Sequence, residues 1–576
     1  MARPVMDGDP RPSYDFFAMI RLNSRSTTLS GLLLAVLTPV LAAGAQQVRG
    51  SVVDSISRHP IVGVVVETLD SAGTALSRGL TDASGSFAIG RAAGVRRLRL
   101  VRMGYRPRDV TVPNMAGVEQ RIDVAMLVVP TFLGSVSTTV APNCPRRADS
   151  QRAFALLEQA RSGLLATIVS RQQNPPALKI LNYERTSDGE GQRILHQSVR
   201  IDSSNAAATS FSAVRSASRF AQDGFMGDSA GTRFSFGPDA DVMLDPDFAA
   251  AYCFRVRDGR SATEIGLGFE PARSKRGRVD IEGTLWVDTA AMVVTEIGFN
   301  FIGAPRTKDL RPGGLIHFKT MPGGMALIDR WYFRMVDSRI DIATGGTAGE
   351  QEHVYYYMRE SGGEVAWARW ANGQEFHASL ATVHLRVVDR FDDKVTRAVV
   401  RLTDTDYLGS PDTSGTVVFH DVLPGPYTVE LQDSALVSQH IVLKSLTKFI
   451  ADRGQLIVRK VVSPPTYAFF KQACKLGSTG NWIELVATDD NKKPVQVKWV
   501  LGEDLGGRLE HLHATGITAR DGVFGYCRDV ALLVTLQVHL ERLDDPTKVT
   551  QVELPSEPGR KPYPVVMPFR VFATWH

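Results

Sequence analysis

One turn recurs three times along this chain, and it constrains the fold more than any other feature. Thr81-Asp82-Ala83-Ser84-Gly85-Ser86-Phe87 (TDASGSF) is echoed by Asp412-Thr413-Ser414-Gly415-Thr416-Val417 (DTSGTV) and by Thr518-Ala519-Arg520-Asp521-Gly522-Val523-Phe524 (TARDGVF). In such a turn glycine takes positive φ without steric cost, and Asp accepts hydrogen bonds from the turn's own backbone. The surroundings repeat too. In the first copy residues 48–54 (VRGSVVD) open, Pro60 precedes 61–69 (IVGVVVETL), Phe87 and Ile89 alternate, and 98–101 runs into Met103-Gly104-Tyr105. In the second, 385–389 (LRVVD) and 398–402 (AVVRL) precede the turn, and Tyr427, Val429 and Leu431 share one strand face after it. In the third, 482–487, Pro494 and 495–501 precede the turn and 532–540 follows it. D-x-x-G turns alone recur in any β protein. The ordered set of strand, Pro, strand, turn and aromatic predicts β-sandwiches.

These residues resemble the carboxypeptidase regulatory-like domain, a prealbumin-like β-sandwich of exported bacterial proteins. Its pattern is a strand ending in Asp, a Pro before the next strand, a T-D-x-x-G-x-F turn and a P-G-x-Y or G-Y element. The first copy carries Asp54, Pro60, Thr81, Asp82, Gly85, Phe87, Gly104 and Tyr105; the second carries Asp389, Asp412, Gly415, Pro424, Gly425 and Tyr427, without the Pro before its second strand. The third keeps Pro494, Gly522 and Phe524 and lacks a clear P-G-x-Y. The resemblance implies a carbohydrate-binding-like fold and, by analogy, glycan or peptide ligands. It does not bring the peptidase: that chemistry needs two His and a carboxylate on zinc, and the sequence holds no H-x-x-E or H-E-x-x-H.

At 576 residues the chain exceeds a single core, so several domains are expected. Its 66 basic and 61 acidic residues leave a net charge of +5 with no long Lys/Arg run, which argues against nucleic acid. Residues 29–45 (LSGLLLAVLTPVLAAGA) follow Arg21 and Arg25, are interrupted by Pro39 and end in Ala43-Gly44-Ala45. That pattern predicts a secretory signal peptide cut between Ala45 and Gln46. Translation from Met1 or Met19 both fit. Gln46 stands where a lipoprotein would have Cys, and no later run is apolar enough for a membrane helix. Four cysteines in an exported chain read as disulfides. Of three pairings, Cys474 with Cys527 and Cys144 with Cys253 is favoured by region; connectivity stays open. No C-x-x-C occurs, which weakens redox and zinc readings.

Between the first two copies, residues 128–140 are similar to the stretch joining such a domain to the plug of a TonB-dependent receptor, although no plug and barrel follow. Residues 149–172 then place Phe154, Leu156, Leu157, Ala160, Leu164, Leu165 and Ile168 at helical spacing, stopped by Asn174-Pro175-Pro176. Hairpins follow through 265–269, 281–288 (IEGTLWVD), 293–301, 315–319, 328–335 and 353–358. One helix before a meander predicts an α+β unit, a curved antiparallel sheet with the helix on one face. The GTLWVD hairpin resembles the open half-barrels of periplasmic lipoprotein carriers. That implies an apolar concavity lined by Trp286, Phe299, Phe301, Trp331 and Phe333; a filled core is the alternative.

Three clusters bear on chemistry. Gly227-Asp228-Ser229-Ala230-Gly231 fits G-x-S-x-G, but no buried strand precedes it and a strand, not a helix, follows, so a loop is the better reading of Ser229. His511 and His513 share a strand face beside Glu510, a conceivable metal pair against solvated histidines. Asp239, Asp241, Asp245 and Asp247 (DADVMLDPD) lack the EF-hand spacing and read as a polar loop rather than a Ca²⁺ site. No phosphate-binding loop opens a helix, and no cofactor is implied. The expectation is a mainly β exported protein: several Ig/prealbumin-like β-sandwich domains plus the α+β unit. Boundaries fall at 1–45 (signal peptide and extension), 46–128 (regulatory-like sandwich), 129–148 (linker), 149–378 (half-barrel-like), 379–463 (second sandwich) and 464–576 (third, divergent sandwich). The expected function is non-catalytic binding or scaffolding at the cell envelope, not an enzyme, with an envelope protein, glycan or peptide as partner. A lipid or lipoprotein carrier and a hydrolase at Ser229 are the alternatives.

Overall fold

The computed structural model describes residues 47–575 apart from 91–92, 113–119, 130–143, 145–149, 205–208, 230–231, 274–276, 308–309, 323, 344–350, 435, 437–440, 477–479, 490, 505–508, 530–535 and 555–569. The signal-peptide reading and the cut at Ala45/Gln46 lie outside the described residues, as does nearly all of 129–148. No helix among the described residues is long and apolar enough to cross a membrane.

The first sandwich has seven strands: β1 (Gln47–Asp54), β2 (Val65–Leu69), β3 (Ala75–Leu80), β4 (Ser86–Gly90), β5 (Arg97–Val101), β6 (Arg108–Thr111) and β7 (Gln120–Met126). They form two sheets, β4-β1-β7 and β3-β2-β5-β6. Alternation does what period-2 patterning requires: Val48, Val52, Phe87 and Ile89 of one sheet meet Leu98 and Leu100 of the other. β1 pairs with β7 in parallel and with β4 antiparallel.

The same strand order appears twice more. Strands Ala381–Val388 to Leu456–Val462 and strands Gly480–Thr488 to Arg570–Trp575 each build a fourth-first-seventh sheet facing a third-second-fifth-sixth sheet. In the third sandwich the last strand runs antiparallel to the first, where the other two are parallel.

The recurrent turn is one geometry. Asp82 Oδ1 accepts from Ser84 N at 2.8 Å, Ser84 Oγ at 2.6 Å and Ser86 N at 3.0 Å. Asp412 Oδ1 accepts from Ser414 N, Ser414 Oγ and Thr416 N at 2.8, 2.6 and 2.9 Å. Gly85, Gly415 and Gly522 have φ of 73°, 82° and 66°. Each glycine carbonyl then accepts from the first strand: from Val52 at 2.8 Å, Val387 at 2.8 Å and Ala487 at 2.9 Å. The third copy has Ala519 where Asp82 and Asp412 stand, which is why it is faint in sequence. It keeps the other Asp of the frame. Asp54, Asp389 and Asp489 each cap the loop after the first strand, accepting two backbone N–H bonds at 2.7–2.9 Å.

The middle unit is an all-antiparallel ten-stranded sheet. Its order is Tyr252–Asp258, Glu264–Pro271, Asp280–Asp288, Val293–Ile302, Gly313–Thr320, Ala326–Ala343, Gln351–Arg369, Ala177–Asp188 and Ile194–Ser204, with Glu375–His377 also on Gln351–Arg369. Helix α1 (Ser150–Gln173) lies on one face, burying Leu156, Ala160, Leu164 and Ile168 with Ile297, Phe299 and Trp331. The helix is covered from behind as well. Val169 and Leu165 pack on Val65 and Val101 of the first sandwich, Gly104 N donates to Gln159 Oε1 at 2.7 Å, and Gln173 bonds Arg78 O. That second contact explains why every residue of β2 is buried: one face fills the sandwich core and the other meets the helix.

Two local expectations are corrected. The Asp-rich stretch is not a loop but two short helices, Ala240–Leu244 and Pro246–Ala251. Its Asp-Pro step has the proline at the first helical position, a start signal. Residues 464–576 are not wholly sandwich, because the helix Thr466–Leu476 precedes the strands. Phe469 of that helix enters the second sandwich core, and Cys474 ties the helix to strand Val523–Asp529 through Cys527. Cys144 and Cys253 form the other disulfide. Both are the pairings favoured above, and such bonds persist in oxidising compartments.

Candidate functional site

The middle sheet has a second face, and it is treated differently at its two ends. At one end the second sandwich covers it. Leu181 packs on Leu423, Arg185 Nη1 donates to Pro424 O at 2.8 Å, and Gln197 N donates to Asp404 O at 2.7 Å. At the other end, five strands leave a groove of about 450 Å³.

Register assembles the groove. One row runs Arg257, Gly266, Trp286; the next runs Arg255, Gly268, Thr284, Gly298, Leu315, Tyr332. Arg311 enters beside Gly313, and Arg334 from the strand beyond. The glycines matter for space: a Cβ on Gly268 would stand 2.7 Å from Arg257 Nε and 3.0 Å from Arg255 Cγ. Glycine therefore lets Arg257 lie along the sheet.

One face of each groove aromatic is already occupied. The Arg260 guanidinium sits 4.3 Å above Trp286 and Arg334 sits 4.2 Å above Tyr332, cation–π arrangements. Arg260 also pairs with Glu264 at 2.6 Å and Glu296 at 2.8 Å, Arg334 pairs with Glu360, and Arg255 lies 3.7 Å from Glu270. Two carboxylates beside Arg260 raise its pKa. Burial pushes the Tyr332 phenol up, so it stays protonated at neutral pH. Among the described residues no carboxylate pairs with Arg257 or Arg311, and both are exposed.

The residues singled out from sequence lie elsewhere, with one exception. Phe299, Phe301, Trp331 and Phe333 interlock under α1, the first and last with ring centroids 6.2 Å apart. The space between Ile168, Leu178 and Phe211 in that layer is about 30 Å³, too small for an acyl chain. Trp286 lies on the other face and lines the groove, which Phe299 also borders. Ser229 pairs with Thr232 at the end of a hairpin of Met226–Ser229 on Thr232–Ser235, without the strand-to-helix step that exposes a nucleophile. Asp239 caps the first short helix, accepting from Val242 N at 2.9 Å and Ala213 N at 2.8 Å; Asp245 caps the second, and Asp241 pairs with Arg171 at 2.5 Å. Asp247 lies in the first turn of the second helix.

His511 and His513 do converge on a carboxylate, but it is Glu503 of the neighbouring strand. Its two oxygens lie 3.2 and 3.1 Å from the rings. Contact with His511 first, then His513, holds the Glu503 carboxyl below its usual range. Cross-strand pairing makes that trio, so adjacency to Glu510 was the wrong signal. Near it, a cavity of about 940 Å³ runs between the helix Thr466–Leu476 and the third sandwich, lined by Tyr467, Trp482, Trp499 and the Cys474–Cys527 bridge.

Comparison with known families bears on the first sandwich. Residues 47–127 match the carboxypeptidase regulatory-like domain. In that regulatory-like domain the motif residues are structural. Thr81 Oγ1 donates to Ile61 O at 2.7 Å and accepts from Val64 N at 2.9 Å, tying the turn to the start of β2. Phe87 is buried in the core. The motif is thus consumed in holding two sheets together and contributes nothing to the groove.

No curated protein sequence matches the chain. Among solved structures, a Streptococcal ancillary pilin aligns at 9% identity over 43% of this chain and 78% of its own, with a TM-score of 0.14. The major pilin subunit of Bacillus cereus aligns at 8% over 73% of this chain and 99% of its own, TM-score 0.12. The Bacillus anthracis TIE protein aligns at 10% over 57% and 61%, TM-score 0.14. With such scores the fold assignment rests on the strand pairing above.

Proposed function

We propose that this is an exported, non-catalytic binding or scaffolding protein of the cell envelope, working in the periplasm, at the outer membrane or outside the cell, and that it holds a glycan or peptide. One observation carries the reading: a single sheet face is half covered by a docked sandwich and half left as a groove with exposed cationic groups. Antiparallel sheets often leave one face to water; what supports the reading here is that the open part is a groove with two exposed guanidinium groups that have no carboxylate partner among the described residues. The two disulfides fit export. The regulatory-like sandwiches act here as rigid spacers that frame the middle sheet.

The test is retention of the full mature chain on isolated cell-envelope polysaccharide and peptidoglycan, with N-terminal sequencing of protein recovered from the producing cell. Retention and a start at Gln46 are expected. Hydrolysis of ester substrates that disappears in Ser229→Ala would overturn the non-catalytic part.

A further inference from the structure

The groove lining says what kind of ligand belongs there, an argument that rests on the binding reading above. Arg257, on strand Tyr252–Asp258, and Arg311, just ahead of strand Gly313–Thr320, both reach the groove, and neither guanidinium has a carboxylate partner among the described residues. Both sit where a ligand can reach them. A guanidinium offers a planar fork of donors that matches a carboxylate or phosphate through two parallel bonds. The aromatic rings are less available, because Arg260 covers one face of Trp286 and Arg334 one face of Tyr332. A ligand that stacked on those two faces would have to displace a guanidinium, whereas an oxyanion meets Arg257 and Arg311 directly.

The remaining polar lining is mixed. Glu282 and Asn300 are exposed, and they flank the floor with Thr284. Glu282 accepts hydrogen bonds and repels an unbroken run of negative charges. Asn300 and Thr284 both donate and accept. That set suits a ligand that spaces its acidic groups with hydroxyls. At about 450 Å³ the groove falls within the size range of ligand sites, about 300–1,000 Å³.

We propose that the open half of the middle sheet binds an acidic oligosaccharide, its oxyanions held by Arg257 and Arg311 and its hydroxyls by Thr284, Asn300 and Glu282. Arg255 and Arg334 are already paired with Glu270 and Glu360 and serve as walls rather than as ligand contacts.

The experiment is calorimetric titration of the full mature chain with oligogalacturonate, neutral galacto-oligosaccharide and polyglutamate, repeated with Arg257→Gln, Arg311→Gln and the double variant. Circular dichroism and thermal melting of each variant check that it folds. Saturable binding of oligogalacturonate that weakens with salt, and that falls at least about tenfold in the double variant, is expected. Arg257→Lys keeps the charge without the fork and should recover only part of the loss. Equal affinity for the neutral oligosaccharide would overturn the acidic assignment while leaving the binding reading standing. Stronger binding of polyglutamate, or oligogalacturonate binding that survives in a folded double variant, would also overturn it. Retention of the chain on envelope polysaccharide without any oligogalacturonate binding defeats this inference alone; absence of both defeats the binding reading too.

Discussion

Arg453 of the second sandwich grips Glu364 of the middle sheet with both terminal nitrogens, at 2.5 and 2.6 Å. The Glu364 side chain is 4% exposed and that of Arg453 35%. The pair stands where the sandwich closes over the sheet face, beside the ion pair of Lys179 with Asp421 at 3.0 Å.

Removing the cation should loosen this junction. Arg453→Met leaves a buried carboxylate without its partner, a loss of about 3 kcal/mol for a fully buried pair. Partial exposure of Arg453 makes the expected cost smaller. The check is limited proteolysis across the segment 370–380 together with a thermal melt: faster cleavage and an earlier transition are expected. The double change Glu364→Gln with Arg453→Met should recover part of the loss, since no charge is then stranded.

The Cys474–Cys527 bond should hold the third sandwich and its helix together. It closes a loop of 53 residues, for which the chain-entropy relation gives about 4 kcal/mol. Reduction, or Cys527→Ser, should lower the calorimetric transition of residues 464–576 while leaving that of the first sandwich in place. An unchanged trace under reducing conditions would count against this role.

Gly85 should not accept a side chain. Its φ of 73° is left-handed, and a Cβ there would stand 2.5 Å from Val52 O. Backbone conformation alone costs an L-residue roughly 1–2 kcal/mol, and the clash adds to that. Gly85→Ala is expected to lower the melting temperature by several degrees, at roughly 4–8 °C per kcal/mol for a domain this small. Gly94, which has φ of 91° but open space around its Cβ position, is the control; Gly94→Ala should cost less.

Acid should weaken the second sandwich through Asp412. The Ser414 hydroxyl first, then the backbone N–H of Thr416, holds this carboxyl below its usual range. A carboxyl depressed in the folded state stabilises it above the unfolded pKa, near 3.9. That contribution is lost as pH falls through the folded value. Melting temperature measured from pH 6 down to pH 2 should therefore fall more steeply in the wild type than in Asp412→Asn, with the difference confined to the region below about pH 4.

Much of the architecture was legible because it is written locally. Gly85, Gly415 and Gly522 each sit where a tight bend needs positive φ, and Asp54 and Asp389 end strands where the next loop needs a cap. These are relations over four or five residues, and alternation of Val, Ile and Phe around them names the buried face. The helix Thr466–Leu476 is hard to see in the sequence because Phe469 and Phe470 in a short apolar run suit a strand as well as a helix. Asp239 and Asp245 look like loop carboxylates in the sequence because a five-residue helix leaves little periodicity, although Pro246 is a helix-start signal.

By itself the sequence determined that this chain bends at three matched turns and stacks short strands into sandwiches, since turn chemistry and period-2 patterning act between near neighbours. Only the tertiary structure decided that Arg257, Trp286, Arg311 and Tyr332 line one groove, that Glu503 rather than Glu510 meets the two histidines, and that half of one sheet face stays open. Those outcomes depend on pairing register and on where the second sandwich docks, and both come from contacts between segments far apart in the chain.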